Sequence, residues 1–316
     1  MYINMRILIL AVDYNGCFMP FVEEQISALR KCGVEILRFA IHKKGFIGYL
    51  HELKTLNQII KKEQPDIIHA HYGLCGLLAN LQRQVPVVTT FHGSDINNSK
   101  VLYLSKIAIY LSAWSVFVAK SNMDIAKPRR KCSLLPCGVN LDDLALHNES
   151  FTAPAEILLA NKKHILFAGS FRDQVKDPTL AKNVIDQLNA EYKLDVQLIE
   201  LRGYTRQEVT YLMHTCDALL MTSKSEGSPQ VIKEAMACNC PIVSVDVGDV
   251  RERLSGLQGC CVIASRNVNE LATSLFKVLL DAKRTNGRER IIEMGLTNDM
   301  IAKRLVEIYN NVLLLE

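Results

Sequence analysis

No stretch of this chain approaches the roughly twenty consecutive apolar residues that a membrane-crossing helix needs, so the sequence predicts at most a peripheral membrane contact. The apolar run within Met1 to Val12 is only about eight residues long and has no cleavage-like site after it, which makes it a first strand rather than a leader. The paired Cys-x-x-Cys spacing of a zinc site is missing as well. Ten cysteines are scattered from Cys17 to Cys261, several inside apolar runs, and Cys238-Asn239-Cys240 and Cys260-Cys261 have the wrong spacing. They read as reduced core residues, and with no export signal they imply a reducing, cytoplasmic compartment. Low-complexity tracts and repeats of solenoid period are also absent.

What is present is an ordinary globular composition, 49% hydrophobic and 22% charged, on a chain of 316 residues. That length exceeds what one hydrophobic core usually organises, so two domains are expected. The net charge of +4 is uneven. Residues 1–150 carry 17 Lys+Arg against 12 Asp+Glu, and residues 151–316 carry 20 against 21. Lys127-Pro128-Arg129-Arg130-Lys131 is the densest basic run, with Lys43-Lys44 and Lys61-Lys62 smaller. Each run alone fits a solvated loop or helix end; together they also suit an anionic membrane surface.

Strand-like and helical patterns alternate along the first half. Strands are expected at Arg6 to Val12, Val34 to Ala40, Asp66 to His71, Val85 to Phe91 and Ser115 to Ala119. Helices are expected at Phe21 to Lys31, Tyr49 to Lys62 and Val101 to Ser112. The pattern breaks into polar, Pro-containing sequence from about Asn140 to Lys163, the best candidate linker. It resumes with strands at His164 to Ala168, Val196 to Leu201, Ala218 to Thr222, Pro241 to Val245 and Cys260 to Ile263. The expected fold is therefore α/β, with two Rossmann-like doubly wound parallel-sheet domains, residues 1–150 and 151–297, facing across a cleft. A last helix, residues 298–316, would pack back on the first domain.

Ser225-Glu226-Gly227-Ser228-Pro229-Gln230-Val231-Ile232-Lys233-Glu234-Ala235-Met236-Ala237 lies between two of these strands and reads as a loop entering a helix. Ser228 is expected as N-cap, Pro229 as the first helical residue, and Asn239 as the left-handed residue that ends the helix near Cys238. Val231, Ala235 and Cys238 would form its apolar face. The first N–H groups, of Gln230, Val231 and Ile232, would carry the positive end of the helix dipole and make an anion site, flanked by Glu226 in the loop and Glu234 one turn in.

This stretch, with Pro241-Ile242-Val243-Ser244-Val245-Asp246-Val247-Gly248 after it, resembles the donor-binding region of glycosyltransferases of family 4. Four further pieces follow that family's order: Pro65-Asp66-Ile67-Ile68-His69-Ala70-His71, Thr90-Phe91-His92-Gly93-Ser94-Asp95, Leu135-Pro136-Cys137-Gly138-Val139-Asn140, and Phe167-Ala168-Gly169 followed by Lys176. The resemblance implies the GT-B fold and retaining transfer of a hexose-type sugar from a nucleotide-sugar to a hydroxyl of a glycan or polyprenyl-linked oligosaccharide. It places that transfer in surface polysaccharide synthesis, capsule or O-antigen, at the inner face of the plasma membrane. The nucleotide-sugar is a co-substrate; no cofactor and no nucleic-acid partner is implied.

The resemblance assigns Glu226 to a hydroxyl of the transferred sugar, Glu234 to the ribose hydroxyls, and Lys176 to the leaving diphosphate. A carboxylate suits the first two because it accepts two hydroxyl hydrogen bonds at once, and an ammonium suits the third as a mobile point charge. Gly169, Gly227, Ser228, Gln230 and Val231 complete the implied donor site. Gly16, in the first strand-to-helix loop, matches a glycine beside the donor phosphates or is simply a turn. The family usually has Arg directly after the glycine where this chain has Ser170, and Arg172 is near enough to substitute. His92 matches the family's histidine near the sugar. Asp95 would either orient acceptor hydroxyls or cap its loop. His69 and His71 share one strand face and could ligate a metal, but a structural role is favoured because no third ligand is in view. No Asp-x-Asp metal-nucleotide clamp occurs, so no metal is expected. An epimerase of the same architecture and a non-catalytic two-lobed sugar-binding protein are the alternatives.

Overall fold

The computed structural model describes residues 5–14, 16–42, 45–146 and 158–314. The chain separates into two compact units, residues 1–138 with 296–316, and residues 139–295. The first unit thus ends at Gly138, ahead of the boundary at 150 expected from sequence, and that expected boundary and part of the 140–163 linker lie outside the described residues. So does the Lys43-Lys44 run.

In chain order the first unit runs β1 (Arg6–Val12), α1 (Pro20–Lys31), β2 (Glu35–Ile41), α2 (Gly45–Glu63), β3 (Ile67–His71), α3 (Gly73–Asn80), β4 (Val87–Phe91), α4 (Ser94–Asn97), α5 (Ser99–Leu111), β5 (Trp114–Phe117), α6 (Lys120–Ala126) and β6 (Cys132–Leu134). The strands form one parallel sheet in the order β2-β1-β3-β4-β5-β6. β1, β3 and β4 are buried along nearly their whole length, as expected of parallel strands covered on both faces. On one face Leu8 and Leu10 pack with Ile68, Ala70, Leu56, Ile60 and Leu78. The short strand β6 was not anticipated, because Cys-Ser-Leu offers no apolar run of its own and pairs only by lying beside β5.

The second unit runs β7 (Lys163–Phe167), α7 (Pro178–Tyr192), β8 (Val196–Glu200), α8 (Arg206–Thr215), β9 (Ala218–Met221), α9 (Gln230–Ala237), β10 (Ile242–Val245), α10 (Val250–Leu254), β11 (Cys260–Ile263), α11 (Val268–Asp281) and α12 (Gly287–Glu293). Its sheet is also parallel, in the order β11-β10-β9-β7-β8. Ile165, Phe167, Leu220 and Val243 meet Val184, Leu188, Leu271 and Leu275 in its core. The chain then returns to the first unit as α13 (Asn298–Leu313), which packs along α1. Asn298 donates to Glu24 at 3.1 Å at the start of that contact.

Each sheet reverses its winding once, between β1 and β3 and between β7 and β9. Loops leaving the carboxyl ends of strands diverge at such a point and leave room for a ligand. Gly16 and His71 follow or end the first pair of strands; Gly169 and Glu226 follow the second.

Candidate active site

In the second unit the loop after β7 is built to present Lys176. A Cβ on Gly169 would lie 2.6 Å from Cγ of Lys176, so glycine is what allows the lysine stem to cross the backbone there. Thr222, just past β9, donates its hydroxyl to the carbonyls of Lys176 and Asp177, each at 2.9 Å. Arg266 ties the same corner together, reaching the Asp177 carboxylate at 2.6 Å and the carbonyls of Thr222 and Ser223 at 2.7 and 2.9 Å. Burial pushes the Asp177 carboxyl up, but the Arg266 hydrogen bond, the Leu180 N–H and Lys224 outweigh it and hold the group below the usual range. Asp177 is therefore an anionic anchor and caps α7.

So held, the Lys176 ammonium lies 2.6 Å from Oε1 of Glu226. One turn into α9, Glu234 is met by a second cation, Arg206 of α8, at 2.7 Å. Both carboxylates are largely buried, at 15% and 14% side-chain exposure, which is why each has a basic partner. Between them the first turn of α9 carries no acidic residue. Gly227 is fixed by its carbonyl, which accepts from the Asp249 N–H at 3.1 Å. A Cβ on Gly248 would lie 2.3 Å from that carbonyl oxygen, and Gly248 has φ +60°, so both close approach and backbone conformation require glycine.

The helix entry differs from expectation by one residue. Pro229, not Ser228, is the N-cap, in an extended conformation, and no side chain caps α9. The anchored Gly227 carbonyl keeps the chain extended through Pro229, and Ser228, preceding proline, is itself disfavoured in the helical region. Its buried hydroxyl has no hydrogen-bond partner among the described residues. Of the expected apolar face Ala235 and Cys238 are buried and Val231 is partly exposed; Ile232 and Met236 are buried beside them, as is Lys233 at 1% exposure. Asn239 is left-handed, with φ 54°.

Arg172 is exposed on the same loop as Lys176, and its N–H donates to the Ser170 hydroxyl at 3.2 Å. Ser170 donates in turn to Glu200 at the end of β8, at 3.2 Å, and the same carboxylate oxygen accepts from the Phe171 N–H at 2.7 Å. Ser170 and Glu200 thus form a neutral-to-anion hydrogen bond at the position where an arginine was expected.

In the first unit His92 follows β4, with Nε2 3.0 Å from Nδ1 of His71, the last residue of β3. His92 Nδ1 lies 3.7 Å from the sulfur of Cys137. Phe21 and Tyr72 flank the His92 ring, at 4.8 and 4.6 Å between centroids. Tyr72 has φ 74° and ψ 151°, a region nearly confined to glycine. Such strain is retained where the surrounding structure imposes it, and it concentrates at functional sites. Gly16, at φ +87°, is an exposed loop residue whose N–H is 3.4 Å from the Asp13 carboxylate; the structure shows a turn there.

Of the two readings of Asp95, the structure shows the loop cap. The residue is 3% exposed, with Oδ1 accepting from the N–H groups of His92 and Gly93 and Oδ2 from that of Gly73. Burial raises its carboxyl to about 6, partly offset by these N–H groups. A group so enclosed does not orient an acceptor; it pins the backbone that carries His92. His69 is likewise held by protein partners at both ring nitrogens. His69 bonds Tyr309 at 2.6 Å and Thr90 at 2.7 Å, and no cluster of three metal-ligating side chains occurs among the described residues.

Sequence reasoning missed Arg206, Arg266, Tyr72 and Tyr309. The capping box of Thr205 and Glu208 that starts α8 is legible in sequence. That it delivers Arg206 to Glu234 is a tertiary fact.

The fold is that of GT-B proteins. Among solved structures, sucrose-phosphate synthase from Thermosynechococcus elongatus superposes with a TM-score of 0.76 at 17% identity, covering 99% of this chain and 100% of that one. Anabaena HepE in complex with UDP gives 0.72 at 16% identity, with 97% and 100% covered, and the UDP-GlcNAc 2-epimerase of Methanocaldococcus jannaschii 0.64 at 14%, with 97% and 100% covered. At these identities the likeness is one of fold. The family described as glycosyl transferases group 1 matches residues 155–281, and that described as glycosyl transferase 4-like matches residues 18–112. An uncharacterized glycosyltransferase of Methanocaldococcus jannaschii is 27% identical over 269 residues, 75% of this chain and 73% of that protein. TuaC of Bacillus subtilis, assigned to teichuronic acid biosynthesis, is 25% identical over 71% of this chain, and WcaL of Escherichia coli, assigned to colanic acid biosynthesis, 23% over 69%. Those two matches span 63% and 62% of the relatives' lengths. The chain belongs to the GT-B glycosyltransferases of the family 4-like type. Among its described residues no helix is long and apolar enough to cross a membrane.

Proposed function

We propose that the chain transfers a hexose-type sugar, with retention, from a nucleotide-sugar to a hydroxyl of a glycan or polyprenyl-linked oligosaccharide in polysaccharide synthesis. The observation that carries this reading is the pairing of Lys176 with Glu226 and of Arg206 with Glu234 on either side of the α9 start. Glu226 takes a hydroxyl of the transferred sugar, Glu234 takes the ribose, and the diphosphate lies at the helix start, where its charge meets the dipole and Lys176. A leaving diphosphate draws Lys176 from Glu226 as negative charge develops, so the ammonium acts most strongly in the transition state. His92, in the first unit, is read as a contact for a sugar hydroxyl. Charge neutralisation by Lys176, Arg172 and the helix start takes the part a divalent cation plays elsewhere.

A peripheral contact with an anionic membrane belongs to the same reading. Tyr103, Lys106 and Tyr110 fall on one stripe of α5, with the tyrosines 72% and 63% exposed, and the Arg130 guanidinium sits 4.6 Å over the Tyr110 ring. Exposed aromatic rings interleaved with the basic run Lys127 to Lys131 suit a headgroup layer.

The test is incubation with nucleotide-sugars, with and without polyprenyl-linked acceptors. Acceptor-dependent release of nucleoside diphosphate, with the donor's anomeric configuration kept in the product, is expected. An isomerised nucleotide-sugar formed without acceptor would replace the reading by that of an epimerase, and binding without turnover by that of a binding protein.

A further inference from the structure

His92 is joined to a column of buried side chains that the transfer reaction does not itself require. Its Nε2 faces His71 Nδ1 at 3.0 Å; the His71 ring stacks on His69 at 4.6 Å between centroids; and His69 is clamped by Tyr309 of α13 and Thr90 of β4. His71 is 1% exposed, and its other nitrogen, Nε2, is buried without a hydrogen-bond partner among the described residues.

One proton is shared across the contact between two neutral imidazoles, which allows two arrangements. If His92 donates from Nε2, the proton of His71 must sit on its own Nε2, leaving a buried N–H without an acceptor. If His71 donates from Nδ1, its Nε2 is a bare lone pair. Orphaned buried N–H groups are the rarer and costlier case, so the second arrangement is preferred. We infer that His71 is a positioning residue that donates Nδ1–H to His92 Nε2, locks His92 in the Nδ1–H tautomer and keeps it uncharged.

The consequence for chemistry is specific. Protonating His92 would place a proton on Nε2 and force His71 into the arrangement with the orphaned N–H. His92 is thereby a neutral hydrogen-bond donor and not a general acid or base, and the nitrogen it offers to a substrate hydroxyl is Nδ1. That nitrogen now faces Cys137 at 3.7 Å, a long sulfur contact that a hydroxyl can replace. The groups around His92 agree: His71 and Tyr72 from the β3 end, His69 behind His71, Cys137, the uncharged ring of Phe21, and Asp95, which accepts from the His92 backbone N–H. Burial independently holds His71 neutral, down to about 3, and burial followed by its histidine neighbours holds His69 well below the ordinary range.

This inference rests on the reading of His92 as a sugar contact for its use, but its test does not depend on turnover. The protein is labelled with 15N at histidine, and two-bond proton–nitrogen correlations are recorded from pH 8 to pH 5.5, with His92→Gln identifying the His92 signals. The wild type is expected to show His92 as a single Nδ1–H tautomer that does not titrate in this range. In His71→Leu the tautomers mix and His92 titrates near the ordinary histidine value of about 6.5. His71→Asn, whose carboxamide N–H can stand where Nδ1–H stood, is expected to restore the single tautomer. An Nε2–H or titrating His92 in the wild type overturns the inference whether or not the variants fold, and so does an unchanged His92 in folded His71→Leu.

Discussion

Replacing Lys176 by Met leaves the Glu226 carboxylate 15% exposed and without its 2.6 Å partner. Removing one member of a fully buried pair costs about 3–5 kcal/mol, and an exposed pair is worth about 0–1 kcal/mol. With 24% and 15% exposure, the Lys176–Glu226 pair falls between these limits, and a loss of about 2 kcal/mol is expected. In a unit of this size that is a fall of roughly 4–8 °C in Tm. The assay is a double-mutant cycle of Lys176→Met, Glu226→Gln and both, by urea unfolding. Glu226→Gln should recover most of the loss in the Lys176→Met background, since it removes the charge left unpaired, giving a coupling of about 1–2 kcal/mol. Effects that simply add, within about 0.3 kcal/mol, would mean that the two groups are not paired in solution.

Gly248→Ala brings a Cβ within 2.3 Å of the Gly227 carbonyl at φ +60°; a loss of about 2–3 kcal/mol in thermal unfolding is expected, together with weakened nucleotide binding as the α9 entry shifts. Acid stability carries the histidine column's signature. His71 is held neutral to about 3 in the folded protein against about 6.5 unfolded, so the unfolded state binds the extra proton and stability falls as pH drops below 6.5. The stability difference between pH 7 and pH 5 should shrink by about 2 kcal/mol in His71→Leu. Asp95, raised to about 6, acts in the opposite sense, since the folded state takes its proton first between about 6 and 4, and Asp95→Asn should steepen the loss there. Sedimentation with anionic vesicles at low salt is expected for the wild type and reduced by Tyr103→Ala with Tyr110→Ala or by charge removal at Arg129, Arg130 and Lys131; equal binding by all would sink the membrane contact.

The strands were legible because parallel sheets demand apolar runs with few alternatives: β1 and β11 have the bounds expected, and β4 starts two residues later than expected because its pairing with β3 begins at Val87. Glu226 and Glu234 were legible as a spaced pair around a helix start. Their cations were less so. Lys176 lies 50 residues before Glu226 and was supplied by resemblance, and Arg206 lies 28 residues before Glu234 on the surface of a different helix, with nothing local to mark it. The role of Asp95 was undecidable from sequence, because a carboxylate facing solvent and one turned into three backbone N–H groups are written by the same residue. The one-residue shift at Pro229 has a similar origin: Ser-Pro allows either cap, and the neighbouring Gly227–Asp249 contact selects between them.

The donor site proposed for the second unit holds a nucleotide-sugar between Glu226 and Glu234. It is tested most directly by thermal unfolding in the presence of a panel of nucleotide-sugars and their parent diphosphates, on the wild type, Lys176→Met and Glu234→Ala. A ligand at a hundred times its Kd adds about 2.7 kcal/mol, several degrees in Tm. One base and sugar are expected to stabilise the wild type, with Glu234→Ala losing most of this shift and Lys176→Met losing it for the diphosphate as well. No shift with any nucleotide ligand at millimolar concentration, or equal shifts in all three proteins, would contradict that reading.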